Sequence, residues 1–141
     1  MQWQSMLRTG NSYFDEKQWL QAEYYYREAY GVLERQWNDA PLETELLMAW
    51  ICACHNLSTL FEVQGELEVS LQYLKIPHLK LKELAACDTS SEDLKLIAFK
   101  ALKFTLTPLL SFAKKYPICA NCQKDLLTLQ QQLAADAMTL H

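Results

Sequence analysis

Residues 7–29 read LRTGNSYFDEKQWLQAEYYYREA. Within this stretch Trp19, Ala22, Tyr25, Tyr26 and Ala29 recur at steps of three and four, and Leu33 continues the series. Such spacing lays one face along an α-helix and does not fit a strand, whose faces alternate every second residue. It predicts a helix over about 17–37. Upstream, Trp3, Met6, Leu7, Thr9, Gly10, Tyr13 and Phe14 form the packing positions of a preceding helix over about 2–15. Two helices joined by so few residues must fold back on each other.

The same reading extends outward. Asn38, Asp39, Ala40 and Pro41 break the chain, with Pro41 suited to the first turn of a third helix over about 42–64. Gly65 fits the turn that ends it, and a fourth helix is predicted over about 66–86, with Pro77 near its softer end. Cys87, Asp88, Thr89 and Ser90 make a polar break, in which Ser90 with Asp93 resembles a capping box. A fifth helix follows over about 91–115, interrupted by Pro108 and stopped by Tyr116 and Pro117. A sixth, over about 119–138, places Leu126, Leu129, Leu133 and Ala137 on one face. No alternating β-branched run competes, and only three glycines and four prolines occur in 141 residues. The expected fold is all-α, about six helices in antiparallel hairpins, forming a single domain over 1–141.

Half the residues are hydrophobic and 21% are charged, an ordinary globular balance. The first ten residues show neither a basic start nor an apolar run, so no signal peptide is expected. No membrane span is expected either. Five cysteines, an odd number, read as reduced thiols and point to the cytoplasm. The net charge of −4 is unevenly spread. Residues 1–74 hold four basic and eleven acidic side chains, whereas residues 75–124 hold nine lysines and four acids. The basic excess is all lysine within an acidic whole, so nucleic acid is not an expected partner.

The first helix pair resembles a tetratricopeptide repeat (TPR). Gly10, Tyr13, Ala22, Tyr26 and Ala29 match the family's small, aromatic, alanine, aromatic and alanine positions. Gly10 and Ala22 let two backbones approach, and the rings fill the space beside them. Ser58, Phe61, Ser70 and Leu74 match the same frame in a second pair, with Pro77 where an alanine belongs. The small positions Ala22 and Ser70 lie 48 residues apart, more than the family's usual spacing, so the helices are longer. The resemblance implies TPR-like repeats over about 2–40 and 41–86, with residues 91–138 a degenerate repeat or C-terminal capping pair. The whole chain is similar to small bacterial TPR-type proteins of unassigned function.

The resemblance further implies a non-catalytic scaffold, an adaptor or chaperone-like module, that binds a protein or peptide segment on a concave face. Carried over residue by residue, that face presents Gln4, Leu7, Asn11 and Phe14 from the first helix, and Cys52, His55, Asn56, Thr59 and Glu62 from the third. Asn11 and Asn56 match the asparagines with which some members hold a peptide's C-terminal carboxylate. The lysine those members also use is Leu7 here, so general segment binding is expected instead. Each asparagine has an alternative role on a helix surface or against neighbouring backbone. Tyr24, Tyr30 and Trp37 lie partly off the core stripe and offer either packing or interface area. The fifth helix is apolar on two sides: Leu94, Ile97, Ala101, Leu102 and Phe112 on one, and Leu96, Phe99, Leu106 and Leu110 on the other. It is either sandwiched or paired with a second copy, which makes residues 94–112 a candidate homodimer surface.

Cys119 and Cys122 form a CxxC at a helix start, and Cys52, Cys54 and His55 a second group. Zinc prefers four such ligands, and mid-helix Cys52 and Cys54 point roughly 200° apart. Packed thiols are the leading reading. Metal binding by Cys119 and Cys122 is a weaker one, and redox use, helped by the helix dipole, another. A small metal- or thiol-dependent regulator built on this pair is thus the alternative function. His55, His78 and His141 are scattered and no nucleophile–base–acid set is present, so neither an enzyme nor a cofactor is expected.

Overall fold

The computed structural model describes residues 2–139, with side chains described through Ala135. His141, and the side chain of Ala137 on the expected face of the last helix, lie outside the described residues. Six helices follow in order: α1 Trp3–Asp15, α2 Trp19–Asp39, α3 Thr44–Val63, α4 Leu67–Ala86, α5 Glu92–Lys115 and α6 Ala120–Thr139. Among the described residues there is no strand. The fold is all-α. Each helix packs on the next, and α3 also touches α5.

The first two hairpins close in the same way. Lys17 and Gly65 take positive φ values of 59° and 79°. In each turn the next residue's N–H donates five residues back, Gln18 to the Tyr13 carbonyl and Glu66 to the Phe61 carbonyl, both at 2.9 Å. These bonds satisfy carbonyls that a helix end leaves open. Lys17 and Gly65 are 48 residues apart, as are Gly10 and Ser58, so the internal repeat is geometric as well as sequential.

Close approach is achieved differently in the two pairs. A Cβ at Gly10 would lie 2.6 Å from Cε1 and 2.7 Å from Cδ1 of Tyr26. That ring is buried, and its hydroxyl donates to Asn11 Oδ1 at 2.6 Å, so it has no room to swing aside. In the second pair Ser58 Oγ donates to the Ser70 carbonyl at 2.9 Å, and Ser70 Oγ to the Ser58 carbonyl at 2.8 Å. Both serines are buried, and each satisfies the other. Gly10→Ala should therefore destabilise the fold: overpacking costs about 1–3 kcal/mol, and alanine's helical preference offsets only about 1. Urea unfolding followed by circular dichroism checks this, and a variant more stable than the parent would contradict it.

Three apolar clusters run along the array. Ala22, Tyr26, Leu57, Leu60 and Phe61 join α2 to α3, with Leu7, Tyr13 and Phe14 of α1 packed against them. Leu33, Trp37, Trp50, Cys54, Leu81 and Leu102 join α2 to α5. Leu74, Leu106, Leu109, Phe112, Leu126 and Leu129 join α4, α5 and α6. Trp37 thus belongs to the core. It stacks on Trp50 with ring centroids 5.1 Å apart, and its Nε1 donates to the Pro41 carbonyl at 3.3 Å. Tyr24 is exposed.

Several expectations are corrected. Pro41 lies in the turn before α3 rather than in its first turn. The cap of α5 is Ser91, whose Oγ accepts the Leu94 N–H at 3.1 Å, and not Ser90. The reason is local: the Ser90 N–H closes a turn onto the Cys87 carbonyl at 3.2 Å, which moves the helix start one residue on. Contrary to the expectation that no stretch approaches a span, α3 and α5 reach the length and mean hydropathy, 1.4, of a membrane helix. They are the central helices of the array, and half of the apolar window in α3 is buried within it. Pro77 and Pro108 are carried inside continuous helices.

Candidate binding site

α3 and α5 lie side by side and run in the same direction, since the start of each faces the start of the other and likewise the ends. Near their starts, Leu47 and Met48 of α3, Ala101, Phe104 and Leu106 of α5, and Leu133 of α6 line an open apolar trough of about 840 Å³. Phe104 is 48% exposed and Met48 37% exposed, although both are large apolar side chains. Lys100 and Lys103 stand at the rim, with Lys103 Nζ 5.2 Å from the centre of the Phe104 ring.

Towards the helix ends the same seam opens into a smaller, more polar cavity of about 220 Å³. His55, Thr59 and Glu62 line it from α3; Pro108, Ser111 and Lys115 line it from α5. Glu62 closes its far end, accepting the Tyr116 hydroxyl at 2.9 Å and lying 3.7 Å from Lys115 Nζ. The Tyr116 phenol is pushed up by that bond to a carboxylate. His55 Nε2 is buried and has no partner among the described residues, and burial pushes the imidazole down, towards its neutral form.

The expected binding residues therefore divide. His55, Thr59 and Glu62 come together, and Asn56 sits half-buried beside them on α3. The α1 set is committed elsewhere. Leu7 and Phe14 pack against the first apolar cluster, with Phe14 edge-on to Trp19 at 5.3 Å. Asn11 holds the Tyr26 hydroxyl, whose pKa is pushed up to about 12, mainly by burial. Gln4 is exposed. The physical reason is that α1 ends the array, so its one apolar stripe must cover α2 and α3. Reading the sequence singled out α5 as a candidate homodimer surface but missed Phe104, an aromatic set among Lys100, Lys103 and Thr107 on an otherwise polar side.

The cysteines are free. Cys52 is exposed and Cys54 buried, as opposite sides of one helix require. Among the described residues no group of three or more His, Cys, Asp or Glu side chains gathers around Cys119 and Cys122 or elsewhere. The candidate homodimer stripe is largely covered: Leu106 is buried and Phe99 and Leu110 half-buried, whereas Leu96 remains 49% exposed.

Comparison with curated proteins and with solved structures finds no match. A family model described as "Protein of unknown function (DUF2753)" matches residues 1–141, the full length of the α3–α5 seam and the helices that frame it, and the chain belongs to that family.

Proposed function

We propose that this chain is a non-catalytic protein-interaction module, an adaptor or chaperone-like scaffold of TPR-like type, that holds a segment of a partner protein along the α3–α5 seam. The observation that carries this reading is the trough in which Phe104 and Met48 are left exposed on the two central helices. Exposed apolar patches rimmed by polar groups are how soluble proteins hold partners. The trough also falls in the size range of binding clefts, roughly 300–1,000 Å³. An apolar anchor of the partner fits over Phe104, acidic neighbours suit Lys100 and Lys103, and the polar cavity with His55, Thr59 and Ser111 receives backbone groups further along. A reducing compartment, the cytoplasm, suits the five free thiols.

The test uses peptides selected from a displayed random library on the folded protein. Selected peptides should lose at least tenfold in affinity, about 1.4 kcal/mol, against Phe104→Ala, with a smaller loss for Thr59→Ala. Peptides that bind Phe104→Ala undiminished would rule out the seam as the holding surface.

A further inference from the structure

Cys119 and Cys122 stand where the chain, leaving α5 through Tyr116 and Pro117, enters α6. Cys119 caps the new helix: its Sγ accepts the Cys122 N–H at 3.2 Å, and its carbonyl accepts the Gln123 N–H at 3.1 Å. A separation of three residues keeps both side chains on one side of the first turn. Lys75 of α4 reaches across to place Nζ 4.0 Å from Cys122 Sγ.

Between α4 and α6 lies a cavity of about 160 Å³ whose polar lining is Lys75, His78, Lys82, Cys122 and Asp125. His78 is only 5% exposed. Its Nδ1 is committed to Thr105 Oγ1 at 3.0 Å, which leaves Nε2 as the ring nitrogen available to a ligand. Two ammonium groups against one carboxylate leave the lining positive. The sulfurs are differentiated as well. Cys119 is exposed and Cys122 half-buried. Proximity to Cys122, whose N–H lies on its sulfur, pushes the Cys119 thiol down, and proximity to Cys119 pushes the Cys122 thiol up. That is the division between an attacking and a resolving thiol.

We propose that Cys119 and Cys122 form a site of thiol–disulfide exchange whose substrate is a small anionic disulfide, its carboxylates received by Lys75 and Lys82 and an amide N–H by His78 Nε2. The Cys119 thiolate attacks one sulfur of the disulfide RSSR, the S–S bond breaks, and RS⁻ leaves and takes up the proton that Cys119 released. Cys122, losing its proton to water, then attacks the Cys119 sulfur of the mixed disulfide. The second RS⁻ leaves and is protonated in turn. Two cysteine thiols and one RSSR become one protein disulfide and two RSH, with two electrons passing from protein to substrate.

Oxidised glutathione is the anionic probe and hydroxyethyl disulfide the neutral one. The reduced full-length protein is mixed with each, quenched in acid, alkylated and analysed by peptide mass spectrometry. Cys119 and Cys122 should become linked before Cys52 or Cys87 reacts, and Cys122→Ser should trap one glutathionyl group on Cys119. Cys119→Ser, in which serine keeps the helix cap, should abolish both products. Lys75→Gln with Lys82→Gln should slow the glutathione reaction roughly tenfold while leaving the neutral probe unchanged. The proposal is overturned if Cys52 or Cys87 reacts as fast as Cys119, or if the lysine changes slow both probes equally. Neither outcome bears on whether peptides bind the α3–α5 seam.

Discussion

Trp50→Ala should lower the free energy of unfolding by about 3–5 kcal/mol, whereas Trp50→Phe should cost less than about 1.5 kcal/mol. Trp50 is almost fully buried, stacks on Trp37, and lies 6.1 Å from the Tyr30 ring, so truncation opens a cavity at the join of α2 and α3. Its Nε1, however, is buried without an acceptor among the described residues. Such an unpaired donor costs about 1–3 kcal/mol, and phenylalanine removes it while keeping most of the ring contact. Trp37 provides the control. Its Nε1 does have an acceptor, the Pro41 carbonyl, so Trp37→Phe loses a hydrogen bond and should cost more than Trp50→Phe. Urea unfolding followed by far-ultraviolet circular dichroism measures all three. The account fails if Trp50→Phe proves as damaging as Trp50→Ala.

Acid should weaken the fold through His78. Thr105 Oγ1 donates to the Leu102 carbonyl at 3.0 Å, so it accepts from His78 Nδ1–H, and the imidazole is neutral. Burial first, and Lys82 second, push its pKa from 6.5 down to about 4. Below 6.5 the unfolded chain binds a proton that the folded chain refuses. Stability is therefore fully present above about pH 6.5 and is lost as pH falls towards about 4, by about 2–3 kcal/mol in all. His55 is pushed in the same direction by burial and adds to the slope. His78→Asn, which can still donate to Thr105, should flatten most of the decline between about pH 7 and pH 4.5. A variant that loses stability with acid as steeply as the parent would assign the effect elsewhere.

The helices were legible because their signals are local. The series Ala22, Tyr26, Ala29, Leu33 extends by one more step of four to Trp37, which places that indole in the core, although as a single residue it looked peripheral. Gly65 announced its turn, while Lys17 adopts the same left-handed angle without a glycine to mark it. The cap of α5 slipped by one residue because Ser90 and Ser91 both satisfy the local rule, and only the turn from Cys87 decides between them. The candidate binding face was half legible. His55, Thr59 and Glu62 could be placed on one side of α3, but their opposite wall is Pro108, Ser111 and Lys115, 52 or 53 residues on. No periodicity within either helix reports that pairing. The thiol pair was visible as a motif, yet Lys75 and His78 beside it belong to another helix and emerge only from the packing of α4 on α5 and α6.

The order in which the helices touch has a mechanical consequence. α1 through α5 are each pressed between neighbours or closed by a tight turn, whereas α6 rests on α5 and α4 over a sparser seam and is joined through an extended Tyr116–Pro117 connection. In an array held together neighbour by neighbour, the free energy of opening is graded along the chain rather than shared by one core. Detaching α6 exposes Leu106, Leu109 and Phe112 but leaves the Trp37–Trp50 stack and the Ser58–Ser70 exchange undisturbed. The molecule can thus come apart from its C-terminal end in a partial step, with the first five helices persisting as a folded remnant.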